Sequence, residues 1–99
     1  MGERASWQEL RDRRMAEPGA AEAYEVARLS FELGKAAREM REQRGWTQVQ
    51  LAEAADMTQP AVARFEAGGT VPTIPVLERL AHALDAKLVV QLGDQPSAA

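Results

Sequence analysis

The stretch that most limits how this chain can fold is Trp46 to Phe65, WTQVQLAEAADMTQPAVARF, in which one helix-start grammar occurs twice in quick succession. Thr47 is placed to cap a helix, Gln50 completes a capping box, and Trp46 and Leu51 occupy the two positions of a hydrophobic staple. Thr58 then repeats the cap, Met57 and Val62 repeat the staple, and Pro60 falls in the first turn, where a missing N–H does least harm. Ala54-Ala55-Asp56 between the two units is small and ends in a residue that tolerates a left-handed conformation. Two short helices joined so closely must cross steeply, and Ala52 and Ala55 let their backbones approach. The spacing predicts a helix-turn-helix, a geometry that presents its second helix to a DNA groove.

The flanks extend the helical reading. From Ala20 to Gln43, Ala, Glu, Arg and Leu dominate, and Val26, Leu29, Leu33, Ala36, Ala37 and Met40 recur at threes and fours. This predicts a long amphipathic helix, with Gly34 a candidate interruption and Gly45 its stop. After the loop from Glu66 to Pro72, Thr73 caps a further helix with Pro75 in its first turn, and Leu77, Leu80, Ala81 and Leu84 form its apolar stripe. That helix should stop near Asp85. Lys87 to Leu92 is β-prone. A lone strand cannot satisfy its own backbone, so Leu88, Val89, Val90 and Leu92 are candidates for pairing with the same strand of a second copy, the alternative being a frayed tail packed on the core.

The first residues are polar, with Trp7 and Leu10 the large apolar side chains before Met15. They read as a loosely ordered arm, or as a short helix capped by Ser6 and boxed by Glu9. The expected organisation is an arm or short helix over 1–19, a helical extension over 20–34, a helix-turn-helix domain over 35–86, and a dimerisation strand with a polar tail over 87–99. The fold class is all-α: a compact helical bundle with a long N-terminal extension and one short C-terminal strand.

Ninety-nine residues with 45% apolar content suit one small domain. With no cysteine there is no disulfide framework or cysteine zinc site, and no apolar run suits a bilayer or a signal peptide. A cytoplasmic protein without a membrane partner is expected. The net charge of −3 argues mildly against nucleic-acid binding, yet Lys35 to Val71 holds five basic and five acidic residues, so positive charge can still gather on one face. One histidine and scattered carboxylates offer no catalytic constellation, and His82 reads as a flanking helix residue. No enzyme, metal or cofactor is expected.

Helical rotation from a buried Val62 puts Phe65 inward and Pro60, Ala63, Arg64 and Ala67 outward. Gln59 lies in the first turn, which reaches deepest into a major groove. Gln pairs bidentately with adenine, Arg with guanine, and apolar carbons meet thymine methyls, so Gln59, Pro60, Ala63 and Arg64 are the base-reading candidates. Gln48, Thr58, Gly69 and Thr70 are the phosphate-binding candidates, with Gly68 beside them; a cap-only Thr58 and purely turn-making glycines are the alternatives.

Arg41 through Gly68, as R-x-x-x-G-W-T-Q-x-x-L-A followed by T-Q-x-x-V-x-R-x-E-x-G, resembles the helix-turn-helix family of phage Cro and repressor proteins, also called the XRE family. The likeness runs from Lys35 to Leu84. It implies a double-stranded DNA operator as partner and an internal ion pair, Arg41 with Glu66, bracing the motif. Asp56 stands where the family usually has Gly, and Pro60 where Ser or Gln is commoner. The flanks, an acidic helical extension, PT-x-x-x-LERLAHAL and a β-prone tail, resemble those of HigA-type antitoxins. That resemblance implies a RelE-like ribonuclease toxin as partner and repression of the protein's own operon.

Overall fold

The computed structural model describes residues 18–94. Four helices lie within them: α1 (Ala20–Gln43), α2 (Gln48–Ala55), α3 (Gln59–Glu66) and α4 (Ile74–Ala83). The arm-or-helix expected before Gly19, with its Trp7 and Leu10, falls almost wholly outside the described residues.

Helix α1 has 24 residues and runs without a break through Gly34. At 1.5 Å per residue it is about 36 Å long. The expected interruption is absent because Gly34 serves packing rather than bending. A Cβ built on it would overlap the carbonyl oxygen of Phe65 and lie 2.9 Å from that of Glu66. Only a residue without a side chain lets α1 cross the end of α3 this closely.

The face that α1 buries matches the expected apolar stripe only in part, at Ala37, Leu33 and Met40. Its buried residues are Ser30, Gly34, Ala37 and Arg41. Leu33 and Met40 flank the core half-buried, while Val26 and Leu29 are 41% and 48% exposed. A helix that approaches its neighbour at glycine distance fills the contact with small residues, and the larger apolar side chains are pushed to its flank.

The central pair forms as the caps dictate. Thr47 accepts from the Gln50 N–H at 3.1 Å while the Gln50 side chain accepts from the Thr47 N–H at 2.8 Å. Asp56 adopts the left-handed conformation (φ 57°), and the Met57 N–H donates to Ala52 O at 2.8 Å, ending α2. Thr58 accepts from the Ala61 N–H at 3.2 Å and starts α3. Each of the four helices ends through a residue with positive φ: Gly45, Asp56, Gly68 and Asp85.

Leu51 and Val62, one from each staple, are completely buried, and Ala52, Ala55, Phe65, Leu80 and Leu84 complete the core around them. Burying one such aliphatic side chain contributes about 1.5–3 kcal/mol. Helix α4 is capped by Thr73, which accepts from the Val76 N–H at 3.3 Å, and it closes the core with Leu80.

Beyond Asp85 the described chain has no regular secondary structure. Leu88 and Val89 border an apolar cavity of about 270 Å³ together with Leu33, Met40, Leu77 and Leu84. Val89, Val90 and Leu92 are 68%, 64% and 99% exposed. The β-prone run is thus not a strand within the described residues, as its ladder groups have no partner strand there. No described helix is long and apolar enough to cross a membrane.

Candidate nucleic-acid interface

The repeated Thr-Gln of the two motif helices puts Gln48 and Gln59 at the same place, the first helical residue after each cap. The steep crossing of α2 and α3 then brings the two side chains together. Gln59 Nε2 donates to Gln48 Oε1 at 2.8 Å, and Gln48 Nε2 donates to Glu66 Oε1 at 3.0 Å. Glu66 receives Arg41 as well, from Nε to Oε2 at 2.7 Å and from the second terminal amino group to Oε1 at 3.0 Å. The remaining terminal amino group of Arg41 donates to Trp46 O at 2.7 Å. One chain of bonds therefore runs from α1 through α3 and α2 back to the exposed start of α3.

Arg41 and Glu66 are largely removed from water, with side chains 10% and 2% exposed. Both oxygens of the carboxylate and all three nitrogens of the guanidinium are used, which offsets the cost of burying the two charges. The hydrogen bonds to Glu66 hold the Arg41 pKa above the usual arginine value, with burial opposing. On the exposed half of α1, Arg28 bonds Glu25 and then Glu32, which raises its pKa and lowers that of Glu25.

The outer side of α3 carries Gln59, Pro60 and Arg64, all exposed, with Ala63 half-buried between them. Val62, Phe65 and Glu66 hold the opposite side in the core. Four base-reading candidates thus share one surface, and Gln48 borders it from α2.

The other phosphate-binding candidates are arranged differently. Thr58 Oγ1 is committed as acceptor to the cap, while the hydroxyl of this exposed residue keeps its donor capacity. The Gly69 N–H donates to Arg64 O at 2.8 Å and the Gly68 N–H to Phe65 O at 3.0 Å, closing α3 in a Schellman pattern. Both loop donors are consumed in ending the helix, so the N–H groups that made these glycines phosphate candidates are already bonded. Gly68 also has φ 76° and packs on α1, where a Cβ would lie 2.9 Å from the Phe31 Cα. Thr70 lies in the same loop, which lines a cleft against Ala23, Val26 and Ser30 of α1.

Residue-level reading missed the Gln48–Gln59 bond, although the repeated Thr-Gln was its visible signal. It also missed the part Gln48 plays in the Arg41–Glu66 pair, which only the crossing of three helices creates. Among the described residues no group of three or more His, Asp or Glu could hold a metal ion. His82 is exposed on α4 beside a cleft shared with Asp56 and Glu78.

No curated protein and no solved structure matches the chain. A family model described as a helix-turn-helix domain matches residues 32–91, more than half of the sequence and all of α2, α3 and α4. Two capped helices crossing at an αL turn, with the second one polar on its outer side, are what that description denotes, and the chain belongs to this helix-turn-helix family of DNA-binding domains.

Proposed function

We propose that the protein is a sequence-specific transcriptional regulator, a dimeric repressor that inserts residues 58–66 into the major groove of its operator. One observation carries this reading: Gln59, Pro60 and Arg64 are exposed along one side of α3 while Val62, Phe65 and Glu66 fix the other in the core. Gln59 reads adenine, Arg64 reads guanine, and Pro60 and Ala63 contact thymine methyls. Gln48, Thr58 and Thr70 address the DNA backbone and set the register, while Arg41 and Glu66 brace the motif from behind. The bond between Gln48 and Gln59 restricts both rotamers before DNA arrives, which lowers the entropy lost on binding. Dimerisation through Leu88, Val89, Val90 and Leu92 supports the reading, because a chain of net charge −3 gains little from non-specific attraction and benefits from two linked half-sites.

Footprinting on DNA upstream of the gene, followed by gel shifts with Arg64→Ala, tests this. The variant loses about 1–3 kcal/mol of specific binding and relaxes one operator position. Unchanged affinity and specificity would remove Arg64 from base reading. Deleting residues 88–99 weakens both dimerisation and operator binding; sedimentation showing an intact dimer would end the strand-pairing model.

A second reading, a HigA-type antitoxin that neutralises a RelE-like ribonuclease and represses its own operon, is favoured by a separate observation. Most of the first half of α1 lies outside the matched domain and exposes Tyr24, Leu29 and Phe31, at 53%, 48% and 56%. These are large apolar side chains that DNA binding does not use. Co-purification with the product of an adjacent gene distinguishes the two, since a regulator acting alone carries no such partner.

A further inference from the structure

A polar cleft of about 310 Å³ opens between α1 and α3, lined by Arg38, Arg41, Gln48, Ala63, Glu66 and Ala67. Its floor is neutral, since Arg41 and Glu66 cancel and all their polar atoms are bonded. Arg38 on the wall is different. It donates through Nε alone, to Glu42 at 3.2 Å, and its two terminal amino groups make no hydrogen bond among the described residues. Its side chain is 61% exposed, and the Glu42 side chain 53%, so an exposed i,i+4 pair is all that holds it. Arg28, on the same helix, uses all three of its nitrogens on Glu25 and Glu32. Ala63 and Ala67 on the facing wall are small enough to leave the cleft open.

We propose that this cleft receives a DNA backbone phosphate, with Arg38 as the cation that closes on it. The inference rests on the proposed DNA-binding role of α3 and adds a residue to it. The cleft shares Gln48 and Ala63 with the base-reading surface, so a phosphate seated there belongs to the same stretch of duplex that α3 enters. The Arg38 fork matches two phosphate oxygens, and its terminal amino groups are the pair that Glu42 leaves unbonded. A phosphate contact carries no sequence information, so Arg38 contributes equally on every duplex.

The test is fluorescence anisotropy with a labelled 24-base-pair duplex of mixed sequence over a salt series, with melting curves confirming that each variant is folded. Arg38→Ala lowers affinity and reduces the slope of log K against log salt by about 0.9 for each protomer bound. Arg38→Lys keeps the slope, Arg28→Ala leaves affinity and slope at wild type, and Ala67→Glu, which places a carboxylate in the cleft, weakens binding on any sequence. A wild-type slope in Arg38→Ala, or an equal loss in Arg28→Ala, would overturn the assignment while leaving α3 as the reading helix. Failure of the wild-type protein to bind either this duplex or the DNA upstream of its own gene would instead overturn the DNA-binding role of α3, and the Arg38 site with it.

Discussion

The two halves of α1 have similar compositions and different physics. Both are rich in Ala and Glu, and both carry Arg–Glu pairs. In the first half Arg28 bridges Glu25 and Glu32 in full view of solvent, and the apolar side chains Tyr24, Leu29 and Phe31 are about half exposed. In the second half, one arginine is nine-tenths buried against a carboxylate from α3 and Gly34 sits on the α3 backbone. Helical content is the same on both sides of residue 34. What differs is how much each side chain gives up of water, and that decides which half is structurally specified.

The two halves should differ most at the buried pair. Glu66→Ala strands the Arg41 charge and removes the acceptor of Gln48, so it should cost about 3 kcal/mol, the lower end for a broken buried pair because Arg41 borders the open cleft. Urea denaturation measures this. Replacing both partners, Arg41→Met with Glu66→Leu, should recover much of the loss, since no uncompensated charge is then left. A double variant as unstable as Glu66→Ala would mean that the pair stabilises the fold in its own right.

Gly34→Ala comes next. Its Cβ has no room against Phe65 and Glu66, and overpacking of this kind costs about 1–3 kcal/mol despite the better helix propensity of alanine. A rise in thermal midpoint would show that α1 and α3 can separate freely. Thr58→Ala, which removes the cap of α3, should cost about 1 kcal/mol. The effect should be clear both in stability and in binding, because Gln59 follows directly.

The smallest effect should come from Arg28→Ala. Its pairs are as short as the buried one, 2.7 and 2.9 Å, but fully solvated, so the thermal midpoint should stay within error of wild type. A measurable loss there would show that the first half of α1 is held by more than its own backbone bonds.

Much of this architecture was legible in the residues. Thr47, Thr58 and Thr73 act as the caps that their positions suggested, and Leu51 and Val62 are the most buried large side chains, as their staple positions required. Capping and stapling are local, made within one turn of the chain, which is why sequence reading reaches them. The apolar stripe of α1 misled, because periodicity cannot say which flank of a helix meets its neighbour at close range. Gly34 looked like a break for the same reason. Its role depends on carbonyls of Phe65 and Glu66 more than thirty residues away. Leu88 to Leu92 reads as a strand by composition, yet strand formation needs a partner edge, and one chain offers none among its described residues.

Local residue patterns set where each helix of the central motif starts and stops, and which side of α3 turns outward, because caps, staples, αL turns and the 3.6-residue period are properties of short segments. It took the packing of the helices to make Gln48 bridge Gln59 to the Arg41–Glu66 pair, to engage the Gly68 and Gly69 N–H groups in ending α3, and to set Arg38 at a cleft with its terminal amino groups unbonded. Those facts arise where helices distant in sequence meet, and their geometry is set by packing that no local pattern encodes.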